Sequence, residues 1–214
     1  FAPDECPGEG AFVHDGMVML RRGGQEESLL PAAKVALPGP HNLENALAAA
    51  AAAAGLGASR EAIVRSLSAF PGLPHRCELV GEVRGVRFVN DSKATNVDSL
   101  SVALDAFPPP VVLIAGGRHK DQDFRPLREK VRGCVSALVL IGEAADRLAA
   151  AWEGVPTLRA GSMDAAVRTA FAQAGPGGLV LLSPACASFD MFRNYEDRGD
   201  RFREAVGRLR EEKG

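Results

Sequence analysis

The second half of the chain contains three uninterrupted apolar runs with helical patterns between them. The runs are Val111–Ile114, Leu138–Ile141 and Leu179–Leu182, and each intervening segment has one apolar face. Strands that are buried on both faces form continuous apolar runs, whereas strands with one wet face alternate. The pattern therefore predicts an α/β domain with a Rossmann-like, mostly parallel sheet and helices on both of its faces.

The same reasoning places the other elements of this half. A hairpin is predicted from Glu78–Arg84 and Val86–Val89, with its turn at Gly85. The remaining predicted elements are helices over 97–106, Arg125–Val131, 143–151 and Met163–Ala174, strands over Val111–Ala115, Ala137–Ile141, Pro156–Leu158 and Gly178–Ser183, and a long C-terminal helix. Right-handed crossovers bring the carboxyl ends of parallel strands to one edge, where ligands bind in such folds.

The first part of the chain shows a different pattern. Ala11–His14 and Met17–Leu20 flank Asp15-Gly16, which predicts a hairpin with a two-residue turn. Gly23-Gly24 and the polar residues that follow are predicted to form a second turn, which ends before Leu29.

Two helices are predicted next. An alanine-rich helix starts near Pro40 and ends at Gly55, and a shorter one runs to Phe70 with Ser59 as its N-cap. The breaker cluster from Pro71 to Arg76 then predicts a domain boundary. We expect one domain over residues 1–74, an α/β remnant of a larger unit, and a second over residues 75–214.

Composition narrows the class of protein. The 214 residues are 46% hydrophobic and 24% charged, which is ordinary for a globular protein. A net charge of -2 gives no reason to expect nucleic acid or a membrane surface as a partner. The four scattered cysteines show no metal or disulfide spacing, which favours a reducing cytoplasm. Because the chain begins at Phe1, it is expected to be a piece of a longer protein.

Polar side chains follow three of the predicted strands. Asp91, Lys93 and Thr95 come after Val86–Val89, Lys120 follows the second strand, and Ser188 follows the last. A carboxylate, two ammonium groups and two hydroxyls at one sheet edge suit a phosphate or a charged substrate. The alternatives are ordinary polar loops, in which Lys120 is a solvated lysine and Ser188 caps the final helix. Cys186 is disfavoured as a nucleophile, since only His119 follows a strand near it.

Two asparagines form a further candidate site. Asn42 and Asn45 are three residues apart, so they share one face of the first turn of the alanine-rich helix. Their amides suit a base or a phosphate, and helix capping is the alternative role.

Four stretches of the chain, in this order and spacing, resemble the Mur ligases. The resemblance covers nearly the whole chain, and the last two stretches point more narrowly to the branch that adds D-glutamate. The four stretches are His41-Asn42-Leu43-Glu44-Asn45, Leu73-Pro74-His75-Arg76, Asn90-Asp91-Ser92-Lys93-Ala94-Thr95-Asn96 and Leu182-Ser183-Pro184-Ala185-Cys186-Ala187-Ser188-Phe189-Asp190.

The resemblance implies how the chain relates to the family's three domains. Residues 1–74 match the last part of the central ATPase domain, and residues 75–214 match the C-terminal domain that binds the amino acid. No G-x-x-x-x-G-K-[ST] sequence is present, so the phosphate-binding loop is missing. The family's Mg²⁺ ligands also lie outside the matched part, so no metal ligand is assigned here, and this chain alone is expected to be inactive.

The resemblance further implies an ATP-dependent amide ligase of peptidoglycan precursor synthesis. ATP would phosphorylate the carboxylate of UDP-N-acetylmuramoyl-L-alanine, and the amine of D-glutamate would attack the acyl phosphate. Asn42, Asn45, Arg76, Asp91 and Lys93 would contact ATP, and Asp91 and Lys93 would be the catalytic residues.

The acceptor site follows from the same resemblance. Thr95, Lys120 and Ser188 would bind the carboxylates of D-glutamate, with Tyr195 close by. The family usually has Phe at the position of Tyr195 and Asp-Gly at Arg118-His119, so this chain departs from the pattern twice. The enzyme is expected to be a monomer. Rival interpretations are another Mur ligase, a folylpolyglutamate synthase-like ligase, or a non-catalytic Rossmann-type binding domain.

Overall fold

The computed structural model describes residues 8–37 and 39–212, which form two compact units. The first unit ends at Gly72 and the second starts at Leu73. Cys6 lies outside the described residues. No helix within the described ranges is both long and apolar enough to cross a membrane.

A three-stranded antiparallel sheet opens the first unit. It contains β1 (Gly10–His14), β2 (Met17–Arg22) and β3 (Gln25–Pro31), in that order. The hairpin predicted around Asp15-Gly16 is confirmed. The predicted turn after Gly23-Gly24 is wrong in its extent, because the polar residues 25–28 pair with β2 as an exposed strand. Arg21 and Glu26 form an ion pair across these two strands.

Two helices cover this sheet, and their presence confirms the prediction of two helices. The helix α1 (Pro40–Gly55) has proline in its first turn, and α2 (Arg60–Ala69) is capped by Ser59, whose side chain accepts from the amide of Ala62. Small and medium aliphatic side chains fill the core of this unit, which includes Val18, Leu20, Leu29, Leu30, Leu47, Ala50, Ala54 and Ile63.

The second unit is a six-stranded sheet with helices on both faces. Its strands run in the order β4, β5, β9, β6, β7, β8, and only the edge pair β4–β5 is antiparallel. The strands are β4 (Glu78–Val83), β5 (Val86–Asn90), β6 (Val111–Gly116), β7 (Val135–Ile141), β8 (Thr157–Arg159) and β9 (Leu179–Leu182). The predicted parallel sheet and its hairpin edge are thus confirmed.

The helices of this unit are α3 (Val97–Asp105), α4 (Arg128–Cys134), α5 (Ala145–Ala151), α6 (Met163–Ala174) and α7 (Tyr195–Glu211). A short 3-10 turn over Arg125–Leu127 precedes α4, so the helix predicted from Arg125 starts three residues later.

Alternate side chains of each central strand enter two separate cores. Leu138 and Leu140 pack with α3, α4 and α5 on one face, and Val139 and Ile141 pack with α6 and α7 on the other. This two-sided burial explains why the strand sequences are apolar throughout. It also leaves only the ends of the strands available for polar chemistry.

Candidate functional site

The order of the strands makes the three predicted polar segments neighbours. In this sheet β9 lies between β5 and β6, and Leu182 at the end of β9 is level with Asn90 and Ile114. All three strands are parallel, so the segments that follow them leave the sheet at one edge. The residues after Asn90, Gly116 and Leu182 therefore meet there, as the sequence predicts.

Asp91 is a buried carboxylate at the end of β5. Its oxygens accept hydrogen bonds from the Ser183 hydroxyl at 2.9 Å and the Cys77 amide at 3.2 Å. Burial raises the pKa of Asp91 to about 6, although both hydrogen bonds act in the opposite direction. This carboxylate is fixed in place and costly to ionise, which is a frequent property of functional groups.

Lys93 is half buried beside the first turn of α7. Its ammonium nitrogen lies 3.9 Å from the centroid of the Tyr195 ring, in cation–π geometry. The carbonyl oxygen of Tyr195 accepts from the Ser92 hydroxyl at 2.8 Å, so the start of α7 is tied to the residue before Lys93.

The other proposed acceptor residues differ in exposure. Thr95 is half buried and precedes Asn96, which caps α3 through a 2.8 Å bond from the Ser99 amide. Ser188 is buried, and Lys120 is exposed. The alternative role of Ser188 as cap of the final helix is wrong, because α7 begins seven residues later with Asn194 as its cap.

Backbone contacts join the segment that carries Lys120 to the segment that carries Ser188. Arg118 and Ala187 form a bridge of two hydrogen bonds, 2.8 and 3.0 Å long. A Cβ atom on Gly117 would overlap the Ala187 carbonyl oxygen, and one on Gly116 would overlap that of Ile141. The glycine pair therefore allows close packing of neighbouring segments, which sets the position of Lys120 relative to Ser188.

The loop with Arg118-His119, which departs from the family pattern, is held by α5 and by the turn before that helix. The Arg118 guanidinium lies 3.2 Å from the Glu143 carboxylate, and Arg147 contacts the His119 ring at 2.7 Å. Gln122 further along the loop donates to the Ala185 carbonyl and accepts from the Val97 amide. These contacts give the loop a defined path on both sides of Lys120.

Arg198 is a functional candidate that the sequence analysis missed. Its guanidinium is fully buried and donates to the Ser92 hydroxyl and carbonyl at 2.9 and 2.8 Å and to the Cys186 carbonyl at 3.0 Å. A longer contact of 3.4 Å reaches the Gly116 carbonyl. Burial lowers the pKa of Arg198 to about 10. One side chain thus joins all three strand-end segments.

His75 is a second buried side chain at this edge that was not assigned a role. Its Nδ1 lies 3.1 Å from the Asn90 amide, and its carbonyl accepts from the Lys93 amide at 3.0 Å. Burial is the main cause that lowers the pKa of His75. Its backbone has a φ of 64°, a conformation that few residues other than glycine adopt. Strain of this kind concentrates at functional sites.

The predicted ATP-contacting residues of the first unit line a cavity. Asn42 and Asn45 lie in the first two turns of α1, at the side of a mostly apolar cavity of about 580 Å³. Phe70 and Leu37 also line it. In the second unit, Arg76 is exposed and follows His75.

Within the described ranges, no group of three or more His, Cys, Asp or Glu side chains could hold a metal ion. The predicted site residues at the sheet edge instead combine two ammonium groups, two hydroxyls and the carboxylate of Asp91. This donor set fits anionic oxygens and does not form a cage for Mg²⁺.

Residues 75–186 match the family described as "Mur ligase, glutamate ligase domain". The match covers more than half of the 214 residues, and it contains Asp91, Lys93, Thr95 and Lys120. The chain belongs to the Mur ligase family.

Relatives point to one branch of that family. The UDP-N-acetylmuramoylalanine–D-glutamate ligase of Acidobacterium capsulatum is 46% identical over 92% of this chain and 44% of its own length. The ligase of the same name from Hahella chejuensis is 50% identical over 86% of this chain and 42% of its own. The chain therefore spans less than half the length of the curated relatives it matches.

A solved structure supports the fold alone. The pseudomurein peptide ligase type C from Methanothermus fervidus superposes with a TM-score of 0.66 at 18% identity. The match covers 93% of this chain and 41% of that one.

Proposed function

We propose that the protein containing this chain joins D-glutamate to UDP-N-acetylmuramoyl-L-alanine in an ATP-dependent reaction of peptidoglycan precursor synthesis. ATP phosphorylates the alanine carboxylate, and the amine of D-glutamate attacks the acyl phosphate. The tetrahedral intermediate expels phosphate and leaves an amide. The protein's task is to neutralise anionic oxygens and to hold the amine near the acyl carbon.

In this proposal the acceptor site is formed by Thr95, Lys120, Ser188 and Tyr195. Lys120 supplies the charge for a carboxylate of D-glutamate, and the two hydroxyls supply hydrogen bonds. The backbone bridge between Arg118 and Ala187 supports this assignment, because it holds Lys120 and Ser188 on adjoining segments.

The nucleotide is assigned to a second group of residues. Asn42 and Asn45 would contact ATP through their amides, Arg76 and Asp91 would contact its ribose and phosphates, and Lys93 would approach the terminal phosphate. Mg²⁺ bound to ATP would neutralise phosphate charge, and we propose that its protein ligands lie outside the described residues.

The observation that best supports the proposal is the meeting of three strand ends at one edge. Parallel β5, β9 and β6 are adjacent, so one carboxylate, two ammonium groups and two hydroxyls that are distant in sequence share that edge. The match to relatives that are named for D-glutamate supports this amino acid over glutamyl-folate chemistry. A folylpolyglutamate synthase-like ligase stays the alternative.

Calorimetric titration of the chain with D-glutamate, and separately with L-glutamate, tests the acceptor site. We expect binding of the D isomer alone, and its loss in Lys120→Ala. Lys130→Ala is the matched control, because Lys130 is a lysine of the same unit that lies on α4 and pairs with Asp105 of α3 at 2.6 Å. The control should bind D-glutamate like the unaltered chain.

A second assay uses the longest gene product that contains this chain. Release of ADP that requires both D-glutamate and UDP-N-acetylmuramoyl-L-alanine would support the ligase. Preference for L-glutamate, or ADP release with a folate substrate, would overturn the assignment in favour of a sister ligase.

A further inference from the structure

The environment of Lys93 has a property that the proposed reaction does not by itself explain. Within the described residues, the ammonium group forms no ion pair and no hydrogen bond, and its close neighbour is the face of Tyr195 at 3.9 Å. An exposed lysine would instead move among many rotamers, at an entropic cost each time it was needed. The aromatic face therefore determines where this ammonium rests.

We propose that Tyr195 is a positioning residue that holds the Lys93 ammonium on its ring face, ready to meet an anionic oxygen. The proposal rests on the proposed function, because it concerns a lysine assigned to the terminal phosphate of ATP. It adds a role for the ring that is separate from any contact of Tyr195 with the amino acid.

The choice of an aromatic ring has a physical consequence. A carboxylate partner would hold a lysine but would also cancel its charge and occupy its N–H donors. A ring face attracts the ammonium through its quadrupole and leaves the full positive charge in place. Lys93 thus stays oriented and remains free to donate to a phosphate oxygen.

The ring itself is fixed on several sides. Tyr195 is the first residue of α7, and its carbonyl accepts from the Ser92 hydroxyl at 2.8 Å. Its ring packs edge-on against His75, with the ring centroids 6.0 Å apart at 84°. The carbonyl of His75 in turn accepts from the Lys93 amide. The platform and the backbone of the lysine are therefore parts of one connected structure.

Glu196 is the competing partner. A hydrogen bond from the Tyr195 side chain is the main cause that lowers the pKa of Glu196, and the charge of Lys93 contributes. The carboxylate is thus close enough to influence Lys93, although the two form no ion pair. The experiment must separate the ring from this carboxylate.

Lysine-selective NMR of the chain makes that separation, since the sequence has only five lysines. The ε-methylene signal of Lys93, assigned from its loss in Lys93→Arg, should be displaced upfield by the ring current. We expect the displacement to persist in Tyr195→Phe and Glu196→Gln and to vanish in Tyr195→Leu. Loss in Glu196→Gln with persistence in Tyr195→Leu would overturn the proposal in favour of an ion pair.

Phe171→Leu is the matched control. Phe171 also has a cation over its ring, with the Arg84 guanidinium 5.9 Å from the centroid, but it lies on α6. Its removal should leave the Lys93 signal in place. The fluorescence of the single tryptophan, Trp152, checks that each variant is folded.

Turnover in the longest gene product gives the functional reading. We expect Tyr195→Leu to lower kcat about tenfold, the factor that corresponds to a half-buried cation–π contact, and Tyr195→Phe to recover most of that loss. A Tyr195→Leu protein with the kcat of Tyr195→Phe would overturn the role in catalysis.

The NMR experiment contains no substrate, so its failure counts against the ring platform only. Absence of ligation by the unaltered protein counts against the proposed function only.

Discussion

The two units of the chain bury different kinds of side chain. The core of the first unit consists of alanine, leucine, isoleucine and valine, together with Phe12. Every buried polar or charged side chain in the described ranges belongs to the second unit, and these are His75, Asn90, Asp91, Ser92, Ser183, Ser188 and Arg198. Five of these seven lie between β4 and the start of α3 or between β9 and α7. The other two are His75, just before β4, and Arg198, in the first turn of α7.

The difference shows which part of the fold accepts the free-energy cost of burying polar groups. Burial of a polar group is unfavourable unless each of its atoms is hydrogen-bonded. The second unit offsets this cost with a network in which Arg198 and Asp91 each reach other segments of the sheet edge. The first unit contains no such buried network among its described residues, so its stability should depend on apolar packing alone.

The largest effect is expected from Arg198→Met. The change removes the donor to the oxygens of Ser92 and Cys186 and leaves buried carbonyls without a partner. We expect a loss of about 4 kcal/mol in the free energy of unfolding of the second unit. Denaturation followed by Trp152 fluorescence measures it, because this single tryptophan is fully buried in that unit.

Arg208→Met is the control on the same helix. Arg208 pairs with Asp164 at 2.8 Å between half-exposed side chains, and such surface pairs contribute less than about 1 kcal/mol. Equal losses in the two variants would contradict the view that the buried network stabilises the strand ends.

In the first unit, Leu47→Ala should produce the next largest effect. Leu47 lies on α1 and is fully buried in the core against the sheet. Its truncation leaves a cavity and should lower the free energy of unfolding by about 3 kcal/mol. Hydrogen exchange of the α1 amides measures the loss, since tryptophan is absent from this unit. We expect D-glutamate binding to persist. Its loss would show that the amino-acid site depends on the core of the first unit.

Asp91 gives a prediction about pH. Its pKa is 3.8 in an unfolded chain and about 6 in the folded protein, so the folded state binds more protons between pH 4 and 6. The contribution of Asp91 to the free energy of unfolding therefore falls as pH rises through this window, by about 2 to 3 kcal/mol in total.

Asp91→Asn should remove that slope, as measured by denaturant titrations followed by Trp152 fluorescence between pH 4 and 7. Asp98→Asn is the control, since it removes an exposed carboxyl from the first turn of α3. A slope that survives in Asp91→Asn would assign the pH dependence to other groups.

Much of the fold follows directly from the sequence because two-sided burial leaves an unambiguous signal. The strands β6, β7 and β9 are apolar at every central position, and their parallel order brings the predicted site segments together. The strand β3 was missed for the opposite reason. Its first four residues are exposed, and its strand form comes from pairing with β2 rather than from an apolar pattern of its own.

Arg198 and His75, the site residues that the sequence patterns did not reveal, are brought to the site by tertiary structure. Arg198 lies on the same helical face as Phe202, Ala205 and Leu209, so an arginine within an apolar stripe was the available signal. His75 gave no such signal, because Asn90 and Gly199, which pack against it, are distant in sequence. Sequence patterns record burial along one element, but not which loops fold back onto it.

The smallest effects are expected at two exposed helix caps, one in each unit. They test whether the two units differ only in their buried residues. Ser59 caps α2 in the first unit and Ser162 caps α6 in the second, with bonds of 3.3 and 3.2 Å from the amide three residues on. Because both caps are solvent-exposed and chemically alike, alanine at either position should cost about 1 kcal/mol. Hydrogen exchange of the α2 amides measures the loss in Ser59→Ala. Denaturation followed by Trp152 fluorescence measures the loss in Ser162→Ala. Asparagine at each position should retain the cap and most of the stability. A much larger loss at Ser59 would mean that the first unit depends on surface hydrogen bonds as well as on its apolar core, and the contrast between the units would then extend beyond what each one buries.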